Sequence, residues 1–217
     1  MKTRNLKELN MDKLPGKTVE RLSEYRRTLL KYLDEGNTYI YSHELAGLLH
    51  ITAVQVRRDL MLIGYSSVLK KGYDVKELIR TIGEIIDSEE GQNVAVIGLG
   101  NLGRAITAYF KGKRSKLNIV AAFDNDPQKI NRVIAGVRCH SMEEMEEVIR
   151  SQNISIAILT VPPESARAVA EEAIGYGLKG FLNFTTVALN MPPNVYLEEF
   201  DMITFLEKVA YFVKEAR

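Results

Sequence analysis

The chain has 217 residues, 46% hydrophobic and 26% charged, and its 29 Lys+Arg against 28 Asp+Glu leave a formal net charge of +1. Those proportions exclude disorder as the default state; no apolar run reaches the roughly 18 residues of a membrane span, and MKTRNLKELN lacks the apolar core of a signal peptide, so a cytoplasmic protein without a membrane partner is expected. Cys139 is the only cysteine, which excludes an intrachain disulfide and a cysteine-cluster zinc site, and no metal is expected.

Charge is unevenly spread: residues 1–75 hold 13 Lys+Arg and 9 Asp+Glu, and residues 76–217 hold 16 and 19. A basic front on an acidic back fits a polyanion that meets only the front. That front reads as helix. Leu22, Tyr25, Leu29 and Leu33 recur at helical spacing, and Gly36 stands where a C-terminal cap belongs. SHELAGLLH offers Ser42 as an N-cap, and ITAVQVRRDLMLIG follows with a Thr52/Gln55 capping box. Ala53, Val56, Leu60 and Ile63 share its inward face, while Arg58 points away with Gln55 and Arg57 nearby. GYSSVLKKGYDV is turn-rich and β-leaning, and Asp74 and Glu77 open a further helix with apolar Val75, Leu78, Ile82, Ile85 and Ile86.

SEEGQN (88–93) is a polar, turn-forming stretch and marks a boundary between a domain of residues 1–88 and one of 92–200, with a tail of 201–217. Beyond it, VAVIG, NIVAAFD, SIAILT and GFLNF are short β-branched runs of the kind buried parallel strands need. Between them lie helical patterns at 102–111, 127–134, 142–150 (with a Ser141/Glu144 box) and 164–176, ending at Gly177. This alternation predicts an α/β domain of Rossmann type, a doubly wound parallel sheet.

NVAVIGLGNLGRAITAYF places Gly98, Gly100 and Gly103 in G-x-G-x-x-G between a strand and a helix, with Leu99, Asn101 and Leu102 between them. Such glycines permit a tight turn, close approach of a pyrophosphate and close helix–strand packing, and the helix N-terminus adds N–H groups and partial positive charge. Asp124 ends the next strand 21 residues past Gly103, where a carboxylate binds an adenosine ribose. Asn125, Asp126 and Pro127 offer no cation for a 2′-phosphate, so NAD+ and NADH are expected over the phosphorylated forms. Thr160, Val161 and Pro162 end one strand at the carboxyl edge and Asn183 ends another; both are candidates for the pyrophosphate or nicotinamide side.

No catalytic residue is expected. A dehydrogenase needs a proton donor at the nicotinamide; His43 and His50 fall in the front, His140 and Cys139 lie side by side on a strand, and Tyr109 or Lys111 has no supporting pattern. In the front, the order helix, turn, helix, basic hairpin is that of a winged helix-turn-helix. Gln55 suits adenine and Arg58 guanine, whereas Thr52, Arg57, Lys70 and Lys71 suit phosphate. On these residues alone, a small NAD-dependent reductase with a helical dimerisation arm, or a CoA- or nucleotide-binding module, stays open.

Across residues 18–217 the chain resembles the Rex family of bacterial redox-sensing transcriptional repressors, through TAVQVRRDL, GYDV, VIGLGNLGRAI, AAFDNDPQKI, AILTVPPESA and GLKGFLNFTTVAL in that order. The resemblance implies a homodimer that binds a palindromic double-stranded DNA operator and releases it when NADH binds, with NAD+ competing. It also implies a last helix exchanged between subunits and a coupling network of Arg27, Tyr109 and Asp201. The tail supports the exchange, since 9 of the 12 residues from Met202 to Val213 are apolar where a surface helix needs one stripe. The chain departs from the family at its wing, where Val68 and Leu69 stand at usually glycine-rich positions.

Overall fold

Leu22, Tyr25 and Leu29 form one apolar stripe of α1 (Gly16–Asp34), and all three are fully buried. The computed structural model describes residues 14–66, 71–110 and 116–215. The chain divides into two units, Met1–Glu89 and Glu90–Arg217.

In the first unit α1 is followed by β1 (Tyr39–Ile40), α2 (Ser42–Leu49), α3 (Ala53–Leu62), β2 (Tyr73–Asp74) and α4 (Val75–Ile86). Leu45 of α2, Val56 and Leu60 of α3, and Leu78 and Ile82 of α4 close one core with the α1 stripe. The turn from α2 to α3 is tight: His50 ends α2 in the left-handed region at φ 54°, and the Thr52 hydroxyl accepts from Gln55 N–H to start α3. Asp74 caps α4 in the same way through Glu77 N–H at 2.9 Å. The antiparallel pairing of β1 with β2 joins Ile40 to Tyr73 and Tyr39 to Asp74. Val68, Leu69 and Lys70 lie outside the described residues.

Two caps differ from the sequence reading. Ser42 is the first residue of α2 and not its cap; Tyr41 holds that position, and the Glu44 carboxylate accepts from Tyr41 N–H at 2.7 Å. The Thr52/Gln55 box is half made, because the Gln55 amide turns away to donate to Asp59 Oδ1 at 3.0 Å.

In the second unit, β3 (Gln92–Ile97), α5 (Asn101–Phe110), β4 (Leu117–Asp124), β5 (Val133–Ile134), β6 (Val137–Ser141), α6 (Met145–Ser151), β7 (Ile154–Leu159), α7 (Pro163–Gly175), β8 (Gly180–Asn183), β9 (Tyr196–Glu199) and α8 (Met202–Glu215) follow in order. One sheet runs β5-β6-β4-β3-β7-β8-β9, parallel throughout except for β5. Omitting β5, this is the strand order 3-2-1-4-5-6 of a doubly wound dinucleotide fold. Ala95, Ile97, Phe123 and Leu159 pack on Met145, Ile149, Ala170 and Ala173 of α6 and α7, while Val94, Val96, Ala122 and Ile158 pack with Ile106 of α5 on the opposite face. The strands are apolar on both faces because helices cover both.

The helix expected at 127–134 does not form. After Pro127 the chain makes turns and then a β5–β6 hairpin, with φ at 63° for Asn131, 53° for Ala135 and 85° for Gly136. Left-handed residues at the hairpin tip and the open edge of β4 outweigh a weak helical spacing. β9 was not visible in the sequence. No described helix is long and apolar enough to cross a membrane, and no cluster of three or more His, Cys, Asp or Glu among the described residues can hold a metal ion.

Candidate functional site

The strand order reverses between β3 and β7, and at such a point the loops beyond the carboxyl ends of adjacent strands diverge and leave a crevice. The β3 loop carries the glycine motif and the β7 loop carries Thr160, Val161 and Pro162. The two loops are bolted together: Thr160 N–H donates to Ile97 O at 2.9 Å and Thr160 Oγ1 donates to Gly98 O at 2.6 Å. Gly98 has φ 92°, and a Cβ there would meet the Thr160 carbonyl at 2.8 Å. A Cβ on Gly103 would strike Gly98 O and reach Thr160 Oγ1 at 2.8 Å. These two glycines are therefore required by the protein's own packing. Gly100 is different, since a Cβ there would meet nothing within 4 Å and its φ is not in the left-handed region. The open space lies beside the first turn of α5, whose N–H groups have no acceptor within the helix. A pyrophosphate fits this cradle.

Asp124 closes the site on the β4 side. It is almost fully buried, its Oδ2 accepts from Leu99 N–H at 2.7 Å and its Oδ1 from Asp126 N–H at 2.9 Å. The sequence reading missed the third donor. Lys129 Nζ lies 3.0 Å from Asp124 Oδ2 and 3.5 Å from Asp126 Oδ2, because the turn after Pro127 folds this lysine back over the strand end. The expectation that no cation stands here is corrected. Burial alone would raise the Asp124 carboxyl; hydrogen bonds from Asp126 N–H, Lys129 and Leu99 N–H outweigh it and hold it below its ordinary value.

The other candidates divide between facing the crevice and building it. Leu99 is fully buried in the core and contributes only its backbone, Asn101 Oδ1 accepts from Arg104 at 2.7 Å, and Leu102 and Pro162 are exposed. Val161 packs on the core. Asn183 is buried with its amide committed, accepting from Thr185 N–H and Thr185 Oγ1 at 2.9 and 2.7 Å and donating to Val187 O at 2.9 Å. It shapes the β8 loop. Cys139 is buried, and burial, with Asp124 next, pushes its thiol above the ordinary range, so no accessible thiolate stands here. His140 is buried beside Phe123, with its Nδ1 3.7 Å from Glu144 Oε1.

On α3 of the first unit and its cap, Thr52, Val54, Arg57, Arg58, Met61 and Leu62 are exposed, and Arg57 donates to Ser42 Oγ at 3.1 Å. Lys71 is exposed just before β2. Gln55 is half-buried and oriented by Asp59. Asp59 was not anticipated. It is fully buried on the inward face, receives Arg21 Nε at 2.7 Å and Nη2 at 2.8 Å, and receives Tyr25 Oη at 2.7 Å. Burial would raise its carboxyl, yet Arg21, Tyr25 and Gln55 hold it below its ordinary value. The pair pins α3 to α1.

Arg27 is exposed on α1, and Tyr109 is exposed near the end of α5. Asp201 stands just before α8, accepting from Thr204 Oγ1 at 2.6 Å and Ile203 N–H at 2.9 Å, and these donors lower its carboxyl. The rings of Phe184, Phe200 and Phe205 run in series at 5.1 and 5.3 Å, tying the first turn of α8 to the sheet. Every α8 apolar side chain large enough to matter is exposed, from 54% at Phe205 to 69% at Leu206.

A helix-turn-helix unit joined to a doubly wound sheet with a dinucleotide cradle defines a class, a ligand-responsive regulator built on a nucleotide fold. A family model described as "CoA binding domain" matches residues 89–187, and one described as "Putative DNA-binding protein N-terminus" matches residues 13–60. The redox-sensing transcriptional repressor Rex of Lactobacillus acidophilus is 36% identical over 201 residues, covering 93% of this chain and 95% of that protein. Two crystal structures of RSP, a Rex-family repressor, are similar along the chain. The complex with β-NADH gives a TM-score of 0.82 at 30% identity, and the complex with β-NAD+ and operator DNA gives 0.86 at 31%, covering 94% of this chain and 94–95% of those chains. The chain belongs to the Rex family of redox-sensing transcriptional repressors.

Proposed function

We propose that the protein is a transcriptional repressor that senses the ratio of NADH to NAD+, holding a palindromic operator in the apo or NAD+ form and leaving it when NADH binds. The observation that carries the dinucleotide half is the bare cradle at Gly100, framed by the α5 N-terminus and by Asp124. When bound, the coenzyme supplies one property to the mechanism, a nicotinamide ring that is cationic when oxidised and neutral when reduced. In this reading Leu99, Asn101 and Leu102 present backbone to the pyrophosphate, Asp124 accepts from the ribose, and Thr160, Val161, Pro162 and Asn183 shape the nicotinamide side.

The operator is read by α3. Arg58 suits guanine and Gln55 suits adenine, with the Gln55 amide oriented by Asp59; Thr52, Arg57, Lys70 and Lys71 bind phosphate. Arg27, Tyr109 and Asp201 form the coupling set, whose arrangement differs between the two nicotinamide charges. The exposed apolar length of α8 is covered by a second copy of the chain, making a homodimer with the two-fold symmetry a palindrome requires. The protein acts in the cytoplasm and performs no catalysis. Calorimetric titration with NADH, NAD+, NADPH and CoA tests the ligand: binding of both NAD forms supports the reading, and binding of CoA alone overturns it.

A further inference from the structure

The Asp124 carboxylate has places for about four donors, and three are filled by Asp126 N–H, Leu99 N–H and Lys129 Nζ. A ribose presents two vicinal hydroxyls as donors. Only one finds a vacant lone pair on Asp124; the second hydroxyl oxygen keeps its own lone pairs and can accept from a donor beside the carboxylate. The Lys129 ammonium, in contact with Asp124 itself, is such a donor. It is a quarter exposed, lies 3.0 Å from Asp124 Oδ2 and keeps one N–H beyond its two carboxylate contacts.

The same three side chains set the charge that meets a 2′ substituent. Asp124 and Asp126 bring two negative charges and Lys129 one positive, so the site is net negative toward a 2′-phosphate, which itself carries about −1.5 to −2 at neutral pH. Without Lys129 the opposing charge doubles. Resting on the NAD(H) reading above, we propose that Lys129 is a specificity-determining residue of the cofactor site: it donates to the adenosine ribose and sets how strongly NADP(H) is refused. The refusal is thus graded by an ion-pair balance and is not absolute.

The test is calorimetric titration of the full-length protein with NADH and NADPH at low and high salt, in wild type and in Lys129→Ala, Lys129→Arg and Asp126→Asn. Lys129→Ala weakens NADH several-fold and NADPH further, so the preference for NADH widens by roughly tenfold at low salt and less at high salt. Lys129→Arg restores the wild-type preference, and Asp126→Asn narrows it. A Lys129→Ala preference within twofold of wild type, or an equal loss of both dinucleotides, overturns the role of Lys129 and leaves the NAD(H) reading intact. A wild type that binds neither dinucleotide removes both.

Discussion

Gly98, Gly100 and Gly103 occupy one motif for different reasons. Two of them are held to glycine by Thr160 and by the turn itself, so a methyl there has to displace backbone. The third faces open space and is free to be alanine as far as the protein is concerned. Gly103→Ala therefore destabilises the sheet unit by about 1–3 kcal/mol or more through overpacking, seen as a lower melting temperature. Gly100→Ala folds at least as well as wild type, since it removes freedom from the unfolded chain, yet it loses about tenfold or more in NADH affinity. Calorimetry and thermal melting of the two variants separate the cases. Equal NADH affinity in Gly100→Ala and wild type contradicts the cradle. The lysine beside Asp124 shows what residue-level reading leaves out: Lys129 is five positions away, and only the turn after Pro127 brings its ammonium to the strand end.

At the scale of elements, much was legible because the central strands β3, β4 and β7 end in buried apolar runs, each followed or closed by a chemically distinct residue. β3 runs into Gly98, β4 ends at Asp124, and β7 runs into Thr160 and Pro162. The strand holding Cys139 and His140 was legible as β6, but its hairpin with β5 was not, since that pairing depends on the left-handed turn at Ala135–Gly136 and on the open edge beside β4 and not on local spacing. Burial of Asp59 was likewise invisible, because its partners Arg21 and Tyr25 are far away in sequence. That pairing has a pH signature. The folded carboxyl lies below its unfolded value of 3.8, so its contribution is present above that value and is lost as pH falls through the folded pKa. Asp59→Ala costs the helix-turn-helix unit about 3–5 kcal/mol at neutral pH by leaving Arg21 unpaired. In thermal melts the gap between wild type and this variant is constant from pH 7 to about pH 5 and narrows below about pH 4. A gap that widens in acid contradicts the assignment.

α8 makes its own prediction. Nine apolar side chains in a single exposed helix exceed what a monomer surface carries without reason. Leu206→Glu with Val209→Glu places two charges in the proposed interface and weakens dimerisation by about two orders of magnitude or more. Sedimentation velocity reads the result, and an unchanged dimer places the interface elsewhere.

For the whole molecule, the front unit carries cationic groups on α3, and the rear unit carries a cradle whose contacts end at the carboxyl edge of the sheet. Neither unit explains the other alone. A helix-turn-helix needs no dinucleotide to grip DNA, and a sheet of this kind needs no DNA to bind one. What joins them is a coupling free energy between two sites, of about 1–3 kcal/mol in typical cases. It is reciprocal, so NADH that weakens DNA binding is itself bound more weakly by the DNA complex. The most direct measurement is a fluorescence-anisotropy titration, at fixed salt, of full-length protein onto a palindromic duplex selected by the protein itself from a random pool. Saturating NADH is predicted to raise the dissociation constant by about 5–150-fold and saturating NAD+ to leave it within a few-fold of the apo value. Equal affinity for the duplex in NADH and in NAD+ contradicts the account.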